Sequence, residues 1–162
     1  INQMSVSSAQ TMFWVFAAVM GVSVSSIFAV YTGMSIATTF FVTAIAFLGT
    51  SLFGYTTKKD ISGWGSFLIM GVIGLIVASV VNIWLASPAL QFAVSALGVL
   101  IFAGLTAYDT QRLKNEYLHF SQMGQEGAAI LAKGAIMGAL SLYINFLNMF
   151  MFLLSFLGAA RE

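Results

Sequence analysis

Residues 64–109 read WGSFLIMGVIGLIVASVVNIWLASPALQFAVSALGVLIFAGLTAYD, and from Ile61 to Tyr108 no side chain carries a charge. A helix rises 1.5 Å per residue, so about 20 apolar residues cross a hydrocarbon core ~30 Å thick. The stretch holds two such lengths, about 64–86 and 89–109, parted by Ser87-Pro88. Proline lacks an amide donor and interrupts a helix at that corner.

The same pattern continues on both sides. One apolar run covers about 11–31, and a second covers about 35–55 after a Thr32-Gly33 break. The last, about 128–158, is long enough to be tilted, broken or partly outside lipid. The expectation is an all-α polytopic transmembrane bundle, five spans in a single transmembrane domain over residues 1–162. Composition agrees. The chain is 60% hydrophobic and 7% charged, against roughly 25% charged in soluble domains, and its mean hydropathy is +0.98. So few charges cannot cover a water-facing surface, whereas lipid asks for none. The sequence has no cysteine, one histidine and a net charge of +1. Disulfides, thiolate or histidine-rich metal sites and nucleic-acid binding are therefore not indicated.

The charges fall in clusters: Lys58, Lys59 and Asp60; then Asp109, Arg112, Lys114 and Glu116, trailed by Glu126 and Lys133; then Arg161 and Glu162. With five spans, Lys58, Lys59, Arg112 and Lys114 share one side, with Lys133 near it, and only Arg161 lies opposite. The positive-inside rule puts the charged loops in the cytoplasm, with the N-terminal end there too and the C-terminus outside. Trp14, Trp64, Trp84, Tyr31, Tyr55 and Tyr108 fall near expected span ends, where amphipathic rings prefer to sit. Tyr143 falls mid-span. Between the last two spans, Thr110–Gly127 is expected to be part helical extension and part turn around Gly124.

At 100° per residue, Gly134, Gly138, Ser141, Asn145 and Asn148 share one sector of the last helix. Small residues let a second backbone approach, and Ser and Asn can hydrogen-bond across the contact. That helix is expected to be central. Gln91, Ser95, Gly98, Phe102, Thr106 and Asp109 form a similar stripe, with Arg112 near it, and Gly71, Gly74, Ala78 and Asn82 form a third. Such stripes serve packing alone or line a polar interior; a carboxylate and two carboxamides favour the second reading.

Asp109 is the one acid joined directly to a long apolar run. An aspartate at a span centre costs about 2.5–3.5 kcal/mol on insertion scales, less at the end. It is either an interfacial residue paired with Arg112 at i, i+3 or a titratable group facing a polar cavity, where desolvation favours the protonated carboxyl. His119 reads as a solvated loop residue, Lys133 as a snorkelling side chain, and the nine methionines as lipid-facing or packing groups. No nucleophile–base pair, phosphate loop or metal-ligand spacing is present, so an enzyme reading lacks a site and no cofactor is expected.

Phe102-Ala103-Gly104-Leu105-Thr106-Ala107-Tyr108-Asp109-Thr110-Gln111 resembles the signature of the Bax inhibitor-1 family. Gly65–Asn82, Ser87-Pro88-Ala89-Leu90-Gln91-Phe92 and Gly138-Ala139-Leu140-Ser141-Leu142-Tyr143 are similar to its bacterial members. The resemblance covers essentially the whole chain. It implies a bundle of about seven helices around a central last one, of which these runs would be the third to seventh. The first two, with an arginine that partners the acidic site, would precede Ile1. It also implies residence in a bacterial inner membrane. Members are described as pH-sensitive calcium leak channels gated by one aspartate on each of the last two helices. Some relatives are described as modulating a membrane-anchored AAA protease. Asp109 matches the first aspartate; the second position holds Asn145, within Leu142-Tyr143-Ile144-Asn145-Phe146. The resemblance thus implies a pathway of Asp109, Asn145, Asn148, Ser141 and Arg112, with calcium as a weakly held transported ion. Two carboxylates share a proton and titrate as a pair. Asp109 with Asn145 cannot, although Asn145 can donate a hydrogen bond to the carboxylate.

Overall fold

A computed structural model describes residues 3–160, so Arg161 and Glu162 lie outside the described residues. Among the described residues, six α-helices run in the order α1 (Val6–Val24), α2 (Ile27–Val30), α3 (Gly33–Thr56), α4 (Trp64–Leu85), α5 (Pro88–Phe120) and α6 (Gly124–Leu157). No strand occurs among the described residues. Val6–Val30, Gly33–Thr56, Trp64–Leu85 and the α5–α6 unit Pro88–Leu157 each contain a stretch long and apolar enough to cross a membrane.

Local chemistry sets the helix ends. Ser5, Thr32 and Ser87 each sit in extended backbone and accept a hydrogen bond from the amide three residues on, which satisfies one orphan donor of the first turn. Pro88 follows its cap at the position where a missing amide costs nothing. Helix α4 ends on Ala86, in the left-handed region at φ 47°. Asn82 stabilises that corner: its Oδ1 accepts from the Ser87 amide at 2.9 Å.

The first run begins earlier than its apolar pattern suggests, because Ser5 caps the helix and polar residues fill the first turns. Trp14 therefore lies roughly two turns inside α1, not at its end. Ser25 and Ser26 interrupt the run before α2. The fourth run continues as helix to Phe120, giving 33 residues, or about 50 Å against a ~30 Å hydrocarbon core. A 3-10 turn at Ser121–Met123 and Gly124, at φ 64°, reverse the chain into the 34-residue α6. That φ favours glycine, and the chain folds back so closely that a Cβ on Gly127 would overlap the Phe120 carbonyl oxygen.

Helices α5 and α6 form a long antiparallel hairpin at the centre. Helix α5 also packs on α3 and α4, and α6 on α3 and α1, so the two helices share the middle of the bundle. Polar residues are buried between the helices: Ser95, Thr106, Asp109 and Asn145 along the α5–α6 seam, Thr39 and Thr43 on α3, and Gln111 against the α3–α4 loop, while Phe41, Ile45, Phe67, Ile83 and Trp84 are exposed. This inside-out distribution is that of a protein solvated by lipid. Tyr143 packs edge-on against Phe13 and Phe16 of α1, which accounts for an aromatic far from any span end.

The glycine stripes need correction. Gly138 is buried where a Cβ would overlap the Leu113 side chain, and a Cβ on Gly71 would lie 2.9 Å from Ile101. Gly134 has only Glu116 at 3.7 Å, an ordinary contact, and Gly74 has nothing within 4 Å. Residues three apart on a helix differ by about 60° in direction, enough to carry Gly74 off the buried face. Other close approaches are made by Gly54 on the Ala107 backbone, Gly65 on the Tyr108 ring and Gly98 on the Phe152 ring.

Candidate functional site

The α5–α6 seam reads from one end to the other as polar, apolar, polar. At the first end, Ser95 Oγ lies 3.3 Å from Ser155 Oγ, and the Gln91 amide reaches both serines at 3.4–3.5 Å. The middle is closed by the stacked rings of Phe102 and Phe152, 5.9 Å apart, by fully buried Met149, and by Leu75 and Val94. Thr106 sits at the edge of this layer, donating to the Phe102 carbonyl at 2.8 Å and touching Met149 Sδ at 3.7 Å. Asp109 follows one turn later.

Asp109 is 6% exposed. Its Oδ2 accepts from Asn145 Nδ2 at 2.8 Å, and its Oδ1 lies 3.2 Å from Arg112 Nη2. Asn145 is buried too. The two partners differ in weight. The Arg112 side chain is 40% exposed, and ion pairs with that much solvent contribute about 1 kcal/mol at most. A buried hydrogen bond to a charged group contributes about 1.5–3 kcal/mol. Asn145 is therefore the main support of the carboxylate. Asn145→Ala is expected to cost about 2 kcal/mol, and Arg112→Gln less than about 1 kcal/mol. Thermal unfolding in detergent checks the order, and a larger loss for Arg112→Gln would reverse the assignment.

Both sequence readings of Asp109 meet in this geometry. It lies about 30 Å along α5 from Pro88, near the depth where a core ~30 Å thick ends, and it pairs with Arg112, yet the bundle buries it. Arg112 continues the polar line outward. It sits 5.8 Å from the Tyr108 ring centroid and 3.8 Å from Glu116, and its buried Nε makes no hydrogen bond among the described residues. It also borders two cavities. One, of about 490 Å³, is shared with Glu116, Lys133, Gly134 and Gly138. The other, of about 160 Å³, is shared with Ser62, Tyr108, Gln111 and Asn115.

Other candidates fall outside this cluster. Asn148 turns back to donate to the Ile144 carbonyl at 2.9 Å, and Ser141 is half-buried without a hydrogen bond to the carboxylate. His119 is exposed beside Phe120. Gln111 has a role the sequence reading missed. Buried on the turn after Asp109, it accepts from the Ile61 amide at 2.9 Å and donates to the Lys59 carbonyl at 2.7 Å. Lys114 donates to the Tyr55 carbonyl at 2.7 Å, and Ser51 and Thr110 lie 3.1 Å apart. These contacts place the α3–α4 loop and the charged end of α5 at the same end of the bundle.

A family profile described as inhibitor of apoptosis-promoting Bax1 matches residues 1–162. The chain is 60% identical to an uncharacterised protein of Caulobacter vibrioides over 155 residues, covering 96% of this chain and 60% of that one. It is 48% identical over 161 residues to the inner membrane protein YbhL of Escherichia coli, covering 99% and 68%. It is 34% identical over 151 residues to an uncharacterised membrane protein of Streptococcus pyogenes, covering 93% and 63%. The chain thus spans about three fifths to two thirds of the length of these relatives.

Proposed function

The chain belongs to the Bax inhibitor-1 family, and from that premise we propose that this membrane protein is a calcium-permeable leak with Asp109 as its gate residue, the charged point that a passing cation must meet. The observation that carries the reading is a buried carboxylate locked between Asn145 and Arg112 at the inner edge of an apolar plug. Charged groups inside a membrane bundle are costly and mark ion paths or relays, and apolar constrictions hold a pathway shut by excluding water. A cation entering from the Arg112 cavities would meet one carboxylate and one carboxamide oxygen. Calcium prefers six to eight oxygens, so such a point suits passage rather than retention. Opening requires α5 and α6 to part at Phe102, Met149 and Phe152. We place the lysine-bearing end in the cytoplasm, supported by the lysines that gather there.

The test is calcium entry into liposomes carrying an internal calcium dye. The protein is expected to raise the rate above that of protein-free liposomes; equal rates would remove the leak reading.

A second reading, a non-transporting regulator that binds a membrane-anchored protease, is favoured by one feature. The hairpin carries a groove of about 720 Å³ along Leu113, Tyr117, Phe120, Ile130, Leu131 and Leu142. Protease co-purification without calcium flux would select it.

A further inference from the structure

The α3–α4 loop forms a basic concavity that the Asp109 site does not use. Gln111 grips the loop backbone on both sides of Asp60, at Lys59 and at Ile61. Lys114, bonded to the Tyr55 carbonyl and 5.6 Å from the Tyr55 ring centroid, closes the α5 side. Together they shape a hollow of about 410 Å³ that also takes in Thr56, Thr57, Lys58, Lys59 and Asn115. Three ammonium groups face one carboxylate, Asp60, a net charge of +2 from three minus one. The Asp60 carboxylate stays ionised: hydrogen bonds from Ser62 hold its pKa below the usual value. Lys58 and Lys59 are exposed and make no ion pair among the described residues. The Thr57 oxygen accepts from the Lys59 amide at 3.3 Å, leaving its own proton to donate.

We propose that this hollow seats the phosphate of an anionic phospholipid, with Lys58, Lys59 and Lys114 balancing its charge and Thr57 and Asn115 donating to its oxygens. Its position favours a lipid over a soluble phosphate. The hollow opens between the end of α3 and the start of α4, at the level of exposed Tyr55 and Trp64. Aromatic side chains of this kind sit at headgroup depth. Below it, exposed Leu52, Phe53 and Phe67 offer an apolar flank for acyl chains, with Phe53 stacked on Trp64 at 6.5 Å. Basic pockets between spanning helices bind headgroups in this way. A loop that only signalled topology would need its lysines, but neither the convergence of Lys114 from another helix nor the Gln111 clamp.

The experiment reconstitutes the chain in phosphatidylcholine vesicles with and without phosphatidylglycerol and counts lipids retained after extraction. Phosphatidylglycerol is expected to be enriched. Each lysine removed lowers the enrichment roughly fivefold, so Lys58→Gln/Lys59→Gln lowers it about twenty-five-fold. Gln111→Leu keeps every charge and releases the loop, so it too lowers the enrichment several-fold. Three results would each overturn the proposal. The double lysine variant could keep the wild-type enrichment. Gln111→Leu could keep it in full, which would leave only diffuse surface attraction. Inorganic phosphate could displace the lipid as well as added phosphatidylglycerol does, which would make the ligand a soluble phosphate.

Discussion

Asn145→Asp is expected to make stability fall steeply as pH rises, and to give calcium entry a matching pH dependence. The substitution replaces the 2.8 Å contact from Asn145 Nδ2 to Asp109 Oδ2 with two facing carboxyl groups. Two carboxylates this close cannot both ionise cheaply. One proton is shared, and the pair titrates in two macroscopic steps. Below the second step the shared proton keeps the seam closed. Above it, like charges about 4 Å apart repel by about 4 kcal/mol at an effective dielectric near 20, partly offset by Arg112. The penalty appears on losing a proton, so it lies on the alkaline side. Thermal unfolding of variant and wild type across a pH series measures it, and superimposable profiles would refute the account of this contact.

Gly54→Ala is expected to destabilise the bundle by about 3 kcal/mol, while Gly49→Ala in the same helix is neutral or stabilising. A Cβ on Gly54 would overlap the Ala107 carbonyl oxygen and lie 2.8 Å from Ala107 Cα. These are backbone atoms that cannot rotate aside, so α3 and α5 must separate, and overpacking of this kind costs about 1–3 kcal/mol. Separation also strains the bonds flanking the contact: Ser51 to Thr110, Lys114 to Tyr55 and Gln111 to the loop. Weakening these bonds puts the cost at the upper end of that range. A Cβ on Gly49 meets nothing within 4 Å, and alanine there gains about 0.5–1 kcal/mol of helix propensity. Opposite signs for one chemical change test the packing directly; equal effects in thermal unfolding would contradict it.

What the sequence could reveal follows from how far each signal reaches along the chain. The apolar runs are local, and so are the caps at Thr32 and Ser87, which is why the helices lie close to where hydropathy puts them. Helix continuation past Asp109 is weaker as a signal, since polar residues at a span's end suit a loop as well as a solvated helix. Helical spacing puts Asn145 and Asn148 in one sector, but only the first reaches Asp109. Asn148 satisfies its amide on the carbonyl four residues back, a local alternative that periodicity does not register. Gln111 was illegible for a different reason: its partners are the backbone of Lys59 and Ile61, about fifty residues away, and backbone atoms leave no mark in side-chain patterns. The α3 contact face was within reach. Thr39, Thr43 and Gly54 are buried on it, spaced as a small-residue stripe like those of α5 and α6.

The proposed leak runs through the α5–α6 seam with Asp109 as its charged point. Its most direct test is the rate of calcium entry into liposomes carrying Asp109→Ala or Asp109→Glu, at equal protein density and with matched folding by thermal unfolding. The account predicts at least a tenfold loss for Asp109→Ala and substantial retention for Asp109→Glu. Wild-type rates for Asp109→Ala would contradict it.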